Sequence, residues 1–288
     1  MDRLQQAISK ARNERSVAVG HSEAYAQDVA EKPRAHNRVS AASVNGAQNA
    51  VAARWAEFGP LEISARTLRR NRLEGYTPGE AAIPYDMLRT KILQRMRKNN
   101  WKRLALVSPE SGSGKTTITA NLGFSFSRMR DRRTMIFDFD LRRVGLARML
   151  DQKCARSMAD VLERRVQFSE HGLCHDGNVV FGLNRERVQN PSELLQNPST
   201  AKVLDEIESY YQPDLMLFDT PPLMVSDDSQ GFLQSVDCAL LVVAAESTPM
   251  DRIDVAERQL SELTNVLGIV LNRCRYTGGA HGYENEYY

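Results

Sequence analysis

Residues 108–117 read Ser-Pro-Glu-Ser-Gly-Ser-Gly-Lys-Thr-Thr. Glycines at this spacing let backbone N–H groups turn inward on an anion, and the N-terminus of a following helix adds its partial positive charge. An apolar run, Leu104–Val107, precedes the loop, and a helical window, Thr116–Arg130, follows it. That is the strand–loop–helix setting of a phosphate-binding loop. Gly112, Ser113, Gly114, Lys115, Thr116 and Thr117 are the expected ATP-binding residues. Lys115 can reach the β- and γ-phosphates, and the Thr116 hydroxyl can ligate Mg²⁺. Pro109 stands where the strict eight-residue pattern has its first glycine. A missing third glycine and the internal lysine exclude a dinucleotide-binding turn.

Two further apolar runs end in carboxylates. Met135-Ile136-Phe137 leads into Asp138-Phe139-Asp140-Leu141-Arg142, and Leu215-Met216-Leu217-Phe218 into Asp219-Thr220-Pro221-Pro222. In a doubly wound sheet the ligand lies beyond the carboxyl ends of the strands. A carboxylate there is often only a helix cap, but three beside a phosphate loop are placed to face a Mg²⁺–phosphate centre. Asp219 is expected to hold the metal's water shell.

The elements that must position these groups follow from periodicity. Expected strands are 104–107, 134–137, 179–181, 215–218, 239–244 and 267–271. They are separated by helical windows at 84–98, 116–130, 200–210 and 250–263. Continuous apolar strands between helices predict an α/β fold, a doubly wound parallel sheet. In the helix at 84–98, Pro84 falls in the first turn and Leu88, Ile92, Leu93 and Met96 form the apolar stripe. Residues 81–275 are expected to form this P-loop domain. Residues 1–80 show scattered single hydrophobes, a weak amphipathic helix at 2–14 and a basic run at Arg66, Arg69, Arg70 and Arg72. They are read as a polar, disordered arm or a dock for a membrane partner or anionic lipid. Residues 276–288 are a flexible tail holding Tyr276, Tyr283, Tyr287 and Tyr288, four of the nine tyrosines in the chain. Exposed tyrosines there suit phosphoryl acceptors.

Composition narrows the function classes. The 288 residues are 42% apolar, enough for a sizeable core, and the net charge of +2 does not call for nucleic acid. Cys154, Cys174, Cys238 and Cys274 lie too far apart in sequence for a clustered zinc motif, and are expected to be reduced and mostly buried. The longest apolar run, 238–245, is too short to span a bilayer.

The phosphate loop, the Asp138-x-Asp140-x-Arg142 and Asp219-Thr220-Pro221-Pro222 stretches and the tyrosine tail resemble those of bacterial tyrosine kinases. These are P-loop autokinases of capsule and exopolysaccharide synthesis. The resemblance extends to Leu88-Arg89-Thr90, Asn190-Pro191-Ser192-Glu193-Leu194-Leu195 and Leu271-Asn272-Arg273. It implies that Asp138 is the base and that Asp140 and Asp219 serve Mg²⁺. It also puts Arg142 in the catalytic stretch, Asn272 near the adenine, and the tail tyrosines among the residues phosphorylated in trans. The implied partners are a separate transmembrane activator or polysaccharide co-polymerase, a tyrosine phosphatase and further copies of the chain. The implied location is cytoplasmic, at the inner face of the plasma membrane. One departure concerns assembly: the family's ring-forming Glu-x-x-Arg-x-x-Arg pattern falls on Ile83, Asp86 and Arg89, and only the last matches. The alternatives are a partitioning or septum-positioning ATPase and a nucleotide-switched adaptor. Glu110 stands where the former carries a lysine.

Overall fold

The structure is a computed structural model in which residues 41–225 and 227–275 are described. The chain divides into two units, Met1–Asn45 and Gly46–Tyr288. The possible helix at 2–14 and the four tail tyrosines lie outside the described residues.

Residues 41–82 contain α1 (Ala41–Trp55), a two-residue strand β1 (Gly59–Pro60), α2 (Ala65–Arg70) and two short 3₁₀ turns. The regular part continues with α3 (Ile83–Asn99), β2 (Arg103–Val107), α4 (Lys115–Ser127), β3 (Thr134–Asp138), α5 (Gly145–Met149), α6 (Met158–Leu162) and α7 (Phe168–His171). Then come β4 (Leu173–His175), β5 (Val179–Gly182), α8 (Pro191–Gln196), α9 (Pro198–Tyr211), β6 (Leu215–Asp219), α10 (Asp228–Leu233), β7 (Cys238–Ala244), α11 (Met250–Leu263) and β8 (Asn265–Asn272).

The strands form one sheet in the order β1-β4-β5-β3-β6-β2-β7-β8, parallel except for the β4–β5 pair. Every residue of β3, β6 and β7 is buried, which explains their unbroken apolar sequences. Helices on both faces complete two cores. One is centred on Phe137, Phe139, Phe218 and Phe232, the other on Leu104, Leu106, Leu122, Phe124 and Phe181. In α3, Ile92 and Met96 are buried, and the helix stops where Asn100 turns left-handed at φ 56°. All six expected strands are present; β1 and β4 are additional.

The expected boundary at residue 80 moves toward the N-terminus. Trp55 and Phe58 are buried in the first core, Leu61 and Leu73 in the second. Trp55 Nε1 donates to the Tyr211 carbonyl at 2.8 Å, and Phe58 packs on Phe168 and Tyr211. Gly75 N donates to Asn121 Oδ1 at 2.7 Å, seating residues 72–76 on α4. These hydrophobes look scattered in sequence because each anchors a different turn rather than one face of a helix. Of the four free cysteines only Cys238 is fully buried; Cys274 is exposed. No helix among the described residues is long and apolar enough to cross a membrane.

Candidate nucleotide site

β2 delivers the phosphate loop from the middle of the sheet, between β6 and β7. Gly112 and Gly114 both adopt left-handed backbone, at φ 88° and 89°, which a side chain would strain. A Cβ on Gly114 would also lie 2.2 Å from Asn272 Nδ2. The loop is tied internally by Ser108 Oγ donating to the Glu110 carbonyl at 2.7 Å. It is tied externally by Leu223 N donating to the Ser108 carbonyl at 2.9 Å. Lys115 opens α4 with its side chain largely buried.

Asp138 and Asp219 end adjacent parallel strands in direct register, so their carboxyls share one edge of the sheet. Asp138 and Asp219 are fully buried and Asp140 is 7% exposed. Asp138 Oδ2 accepts from Leu146 N at 3.3 Å, at the first turn of α5. The Thr119 hydroxyl, which donates to the Lys115 carbonyl at 3.0 Å, lies 3.5 Å from Asp219 Oδ1, and the nearby Thr116 hydroxyl also favours the ionised carboxylate. Burial, then the charges of Asp219 and Asp140, push the Asp138 carboxyl well above the usual carboxylate range. Burial raises Asp140 too, opposed by Lys115 and Arg143. Asp219 is pushed up to about 6, chiefly by burial and against the pull of Lys115. Three carboxylates gathered in low dielectric beside one lysine are short of positive charge.

One oxygen of each, Asp138 Oδ1, Asp140 Oδ1 and Asp219 Oδ2, is buried without a hydrogen-bond partner. Orphaned carboxylate oxygens beside a phosphate loop fit a hydrated divalent cation. No group of three or more His, Cys, Asp or Glu side chains among the described residues could hold a metal alone. That suits Mg²⁺, which takes one or two carboxylates and completes its shell with water and phosphate. Thr116 and the Asp140 and Asp219 carboxylates fit such an ion.

Two expected residues have other contacts. Arg142 forks onto the buried Asp228, with Nη2–Oδ1 at 2.9 Å, and Ser192 Oγ donates to the same carboxylate. The Arg142 guanidinium fastens the segment after β3 to α10, and Ser192 ties α8 to the same carboxylate. Asn272 Nδ2 donates to the Ser113 carbonyl at 2.8 Å, so it clamps the phosphate loop to the end of β8. Arg89 donates to the carbonyl and hydroxyl of Ser125 within its own chain and lies beside Asp86, which also pairs with Arg128.

Sequence reasoning missed three contributors. Asn184 Nδ2 donates to the Asp138 carbonyl at 2.8 Å from the end of β5. Arg143 Nη2 donates to Ser111 Oγ in the loop at 3.1 Å. Asp228 holds Arg142. Asn184 could have been found as a polar residue directly after an apolar strand; Asp228 follows no such pattern.

Residues 104–286 match the CobQ/CobB/MinD/ParA nucleotide binding domain family. The tyrosine-protein kinase CpsD of Streptococcus pneumoniae serotype 4 is 29% identical over 203 residues, covering 69% of this chain and 86% of CpsD. The kinase domain of the Escherichia coli tyrosine kinase ETK superposes with a TM-score of 0.62 at 22% identity, covering 73% of this chain and 82% of that one. The septum site-determining protein MinD of Pyrococcus horikoshii, solved with Mg-ADP, superposes at 0.51 with 22% identity, covering 62% and 72%.

Proposed function

Because the chain belongs to the CobQ/CobB/MinD/ParA nucleotide-binding family, we propose that it is an ATP-dependent protein tyrosine kinase that phosphorylates its own C-terminal tyrosines. Its similarity to CpsD supports a role in capsule or exopolysaccharide synthesis. The observation that carries the reading is the trio of buried carboxylates, each with an oxygen lacking a partner, beside Lys115. A phosphate loop alone serves many reactions, whereas these carboxylates supply both metal ligands and a proton acceptor.

The loop N–H groups and Lys115 bind the triphosphate, and Lys115 neutralises charge developing on the transferred γ-phosphoryl. Mg²⁺, when bound through Thr116 and the Asp140 and Asp219 carboxylates, supplies the rest of that neutralisation. Asp138 accepts the phenolic proton of the incoming tyrosine. Burial and the neighbouring carboxylates raise its proton affinity, and positive charge brought beside it would keep it ionised and able to accept that proton. Leu146 N and Asn184 fix its orientation. The acceptors are Tyr276, Tyr283, Tyr287 and Tyr288, supplied by a second copy of the chain. A transmembrane co-polymerase is the proposed activator, a tyrosine phosphatase the reversing enzyme, and the inner face of the plasma membrane the site of action.

The test is autophosphorylation with Mg-ATP, read by mass spectrometry. Wild type should carry phosphate on Tyr283, Tyr287 and Tyr288, and Lys115→Met should carry none while keeping the wild-type circular dichroism spectrum. Phosphate at an unchanged rate on Lys115→Met would overturn the reading.

A further inference from the structure

A cavity of about 330 Å³ opens beside Asp138, lined by Val144, Arg148, Gln152, Lys153, Cys154, Asn184 and Arg185. Three of these side chains are cationic and none is a carboxylate. Two of its walls are bonded to the proposed base. Asn184 Nδ2 donates to the Asp138 carbonyl at 2.8 Å. On the other wall α5, which carries Arg148, opens with Leu146 N donating to Asp138 Oδ2 at 3.3 Å. The cavity and the base are therefore held in one rigid arrangement.

The cations are not consumed by the fold. Arg148, Lys153 and Arg185 are exposed. None of them pairs with a carboxylate among the described residues, and Arg185 spends one N–H on the Ala155 carbonyl at 3.3 Å. Nearby arginines behave otherwise: Arg164 is bound by Glu206, and Arg165 by Asp160 and Glu163. Holding three like charges around one concavity is unfavourable unless an anion shares it.

The chain carries a matching anion. Its last tyrosines lie in Tyr283-Glu284-Asn285-Glu286-Tyr287-Tyr288, so Tyr283 and Tyr287 each have a glutamate next to them and another three residues away. An extended peptide advances about 3.3 Å per residue, so these carboxylates stay within about 10 Å of the tyrosine at the base. We propose that the cavity is the acceptor subsite, in which Arg148, Lys153 and Arg185 bind the glutamates beside the acceptor tyrosine of a second copy's tail. This rests on the tyrosine kinase reading and adds its substrate class: tyrosines flanked by acidic residues.

The test uses fluorescein-labelled peptides with the sequence of residues 276–288, with and without Glu284→Gln and Glu286→Gln, on the full chain. Binding is read by anisotropy with Mg²⁺ and a non-hydrolysable ATP analogue, and transfer by steady-state kinetics with Mg-ATP. The neutral peptide should bind about tenfold more weakly, the change entering KM with kcat unchanged, and 0.5 M salt should erase the difference. Arg148→Glu with Arg185→Glu should remove the preference, and a Glu284→Lys, Glu286→Lys peptide should restore binding to that variant. Arg148→Ala with Arg185→Ala serves if the reversal does not fold, and should abolish most of the preference. Equal binding and equal KM for acidic and neutral peptides would overturn the subsite while leaving the kinase reading intact. Tight acidic-peptide binding without phosphate transfer to any tyrosine would uphold the cavity and defeat the kinase.

Discussion

Replacing Asp219 by Asn should stabilise the nucleotide-free protein while destroying its activity. Asp219 is fully buried, and burial raises its carboxyl from 3.8 to about 6. A shift of about two units corresponds to roughly 3 kcal/mol spent keeping that group ionised at neutral pH. The amide keeps an acceptor for Thr119 but places an N–H₂ where Asp219 Oδ2 has no partner, which offsets about half of the gain. The remaining ~1.5 kcal/mol corresponds to about 3–6 °C in Tm for a domain of this size. The pH dependence is the sharper reading. A group whose proton is held more tightly in the folded state stabilises it fully below the unfolded pKa and loses that contribution as pH rises through the folded one. Wild type should therefore be the more stable by about 1.5 kcal/mol near pH 4, lose that lead as pH rises toward 6, and trail by about 1.5 kcal/mol above pH 7, after which the gap is constant. Urea unfolding at half-unit pH steps, without nucleotide or Mg²⁺, measures it. A gap independent of pH, or a variant less stable than wild type at pH 8, would refute the electrostatic account. Adding Mg-ATP should stabilise wild type and leave the variant nearly unmoved.

Asn272→Ala should weaken ATP binding by about three- to tenfold, the loss of one hydrogen bond onto the loop, measured by calorimetry. Arg142→Ala should cost about 1–3 kcal/mol in urea unfolding, because it strips a charge-assisted fork from a buried carboxylate. Asp228→Asn should cost less than Arg142→Ala, since the exposed guanidinium rehydrates; the reverse order would count against a structural fork. Gly75→Ala should cost about 1–3 kcal/mol, since the new Cβ would lie 2.2 Å from the Asn121 carbonyl oxygen and force the 72–76 segment off α4.

The chemistry was legible where a short pattern and a strand end coincide. Lys115, Thr116, Asp138, Asp140 and Asp219 each follow or close an apolar run, and in a parallel sheet strand ends meet at one rim whatever the intervening chain does. Contacts between distant loops left no such mark. Asp228 meets Arg142 across 86 residues and Ser192 meets Asp228 across 36, and no periodicity encodes that convergence. The family resemblance put Arg142 in the catalytic stretch, and nothing in the sequence showed that its side chain is bonded to Asp228 at the start of α10. Residues 46–80 misled for a related reason: Trp55, Phe58, Leu61 and Leu73 anchor separate turns, so their burial produces no repeat. β1 is two residues long and contains Pro60, tolerable because it sits at an edge of the sheet.

The position of β2 has a consequence during synthesis. The strand that bears the phosphate loop takes both its neighbours from chain made later: β6 begins about a hundred residues downstream and β7 further still. At about 5–20 residues per second, Leu104–Val107 waits roughly 5–20 s after emerging before its first partner strand exists. Throughout that interval an apolar strand stands without its ladder, and the loop after it lacks the Leu223 and Asn272 contacts that shape it. Nucleotide can stabilise only the finished sheet, so the growing chain passes that period without it. ATP becomes a folding ligand only when β8 has closed the edge.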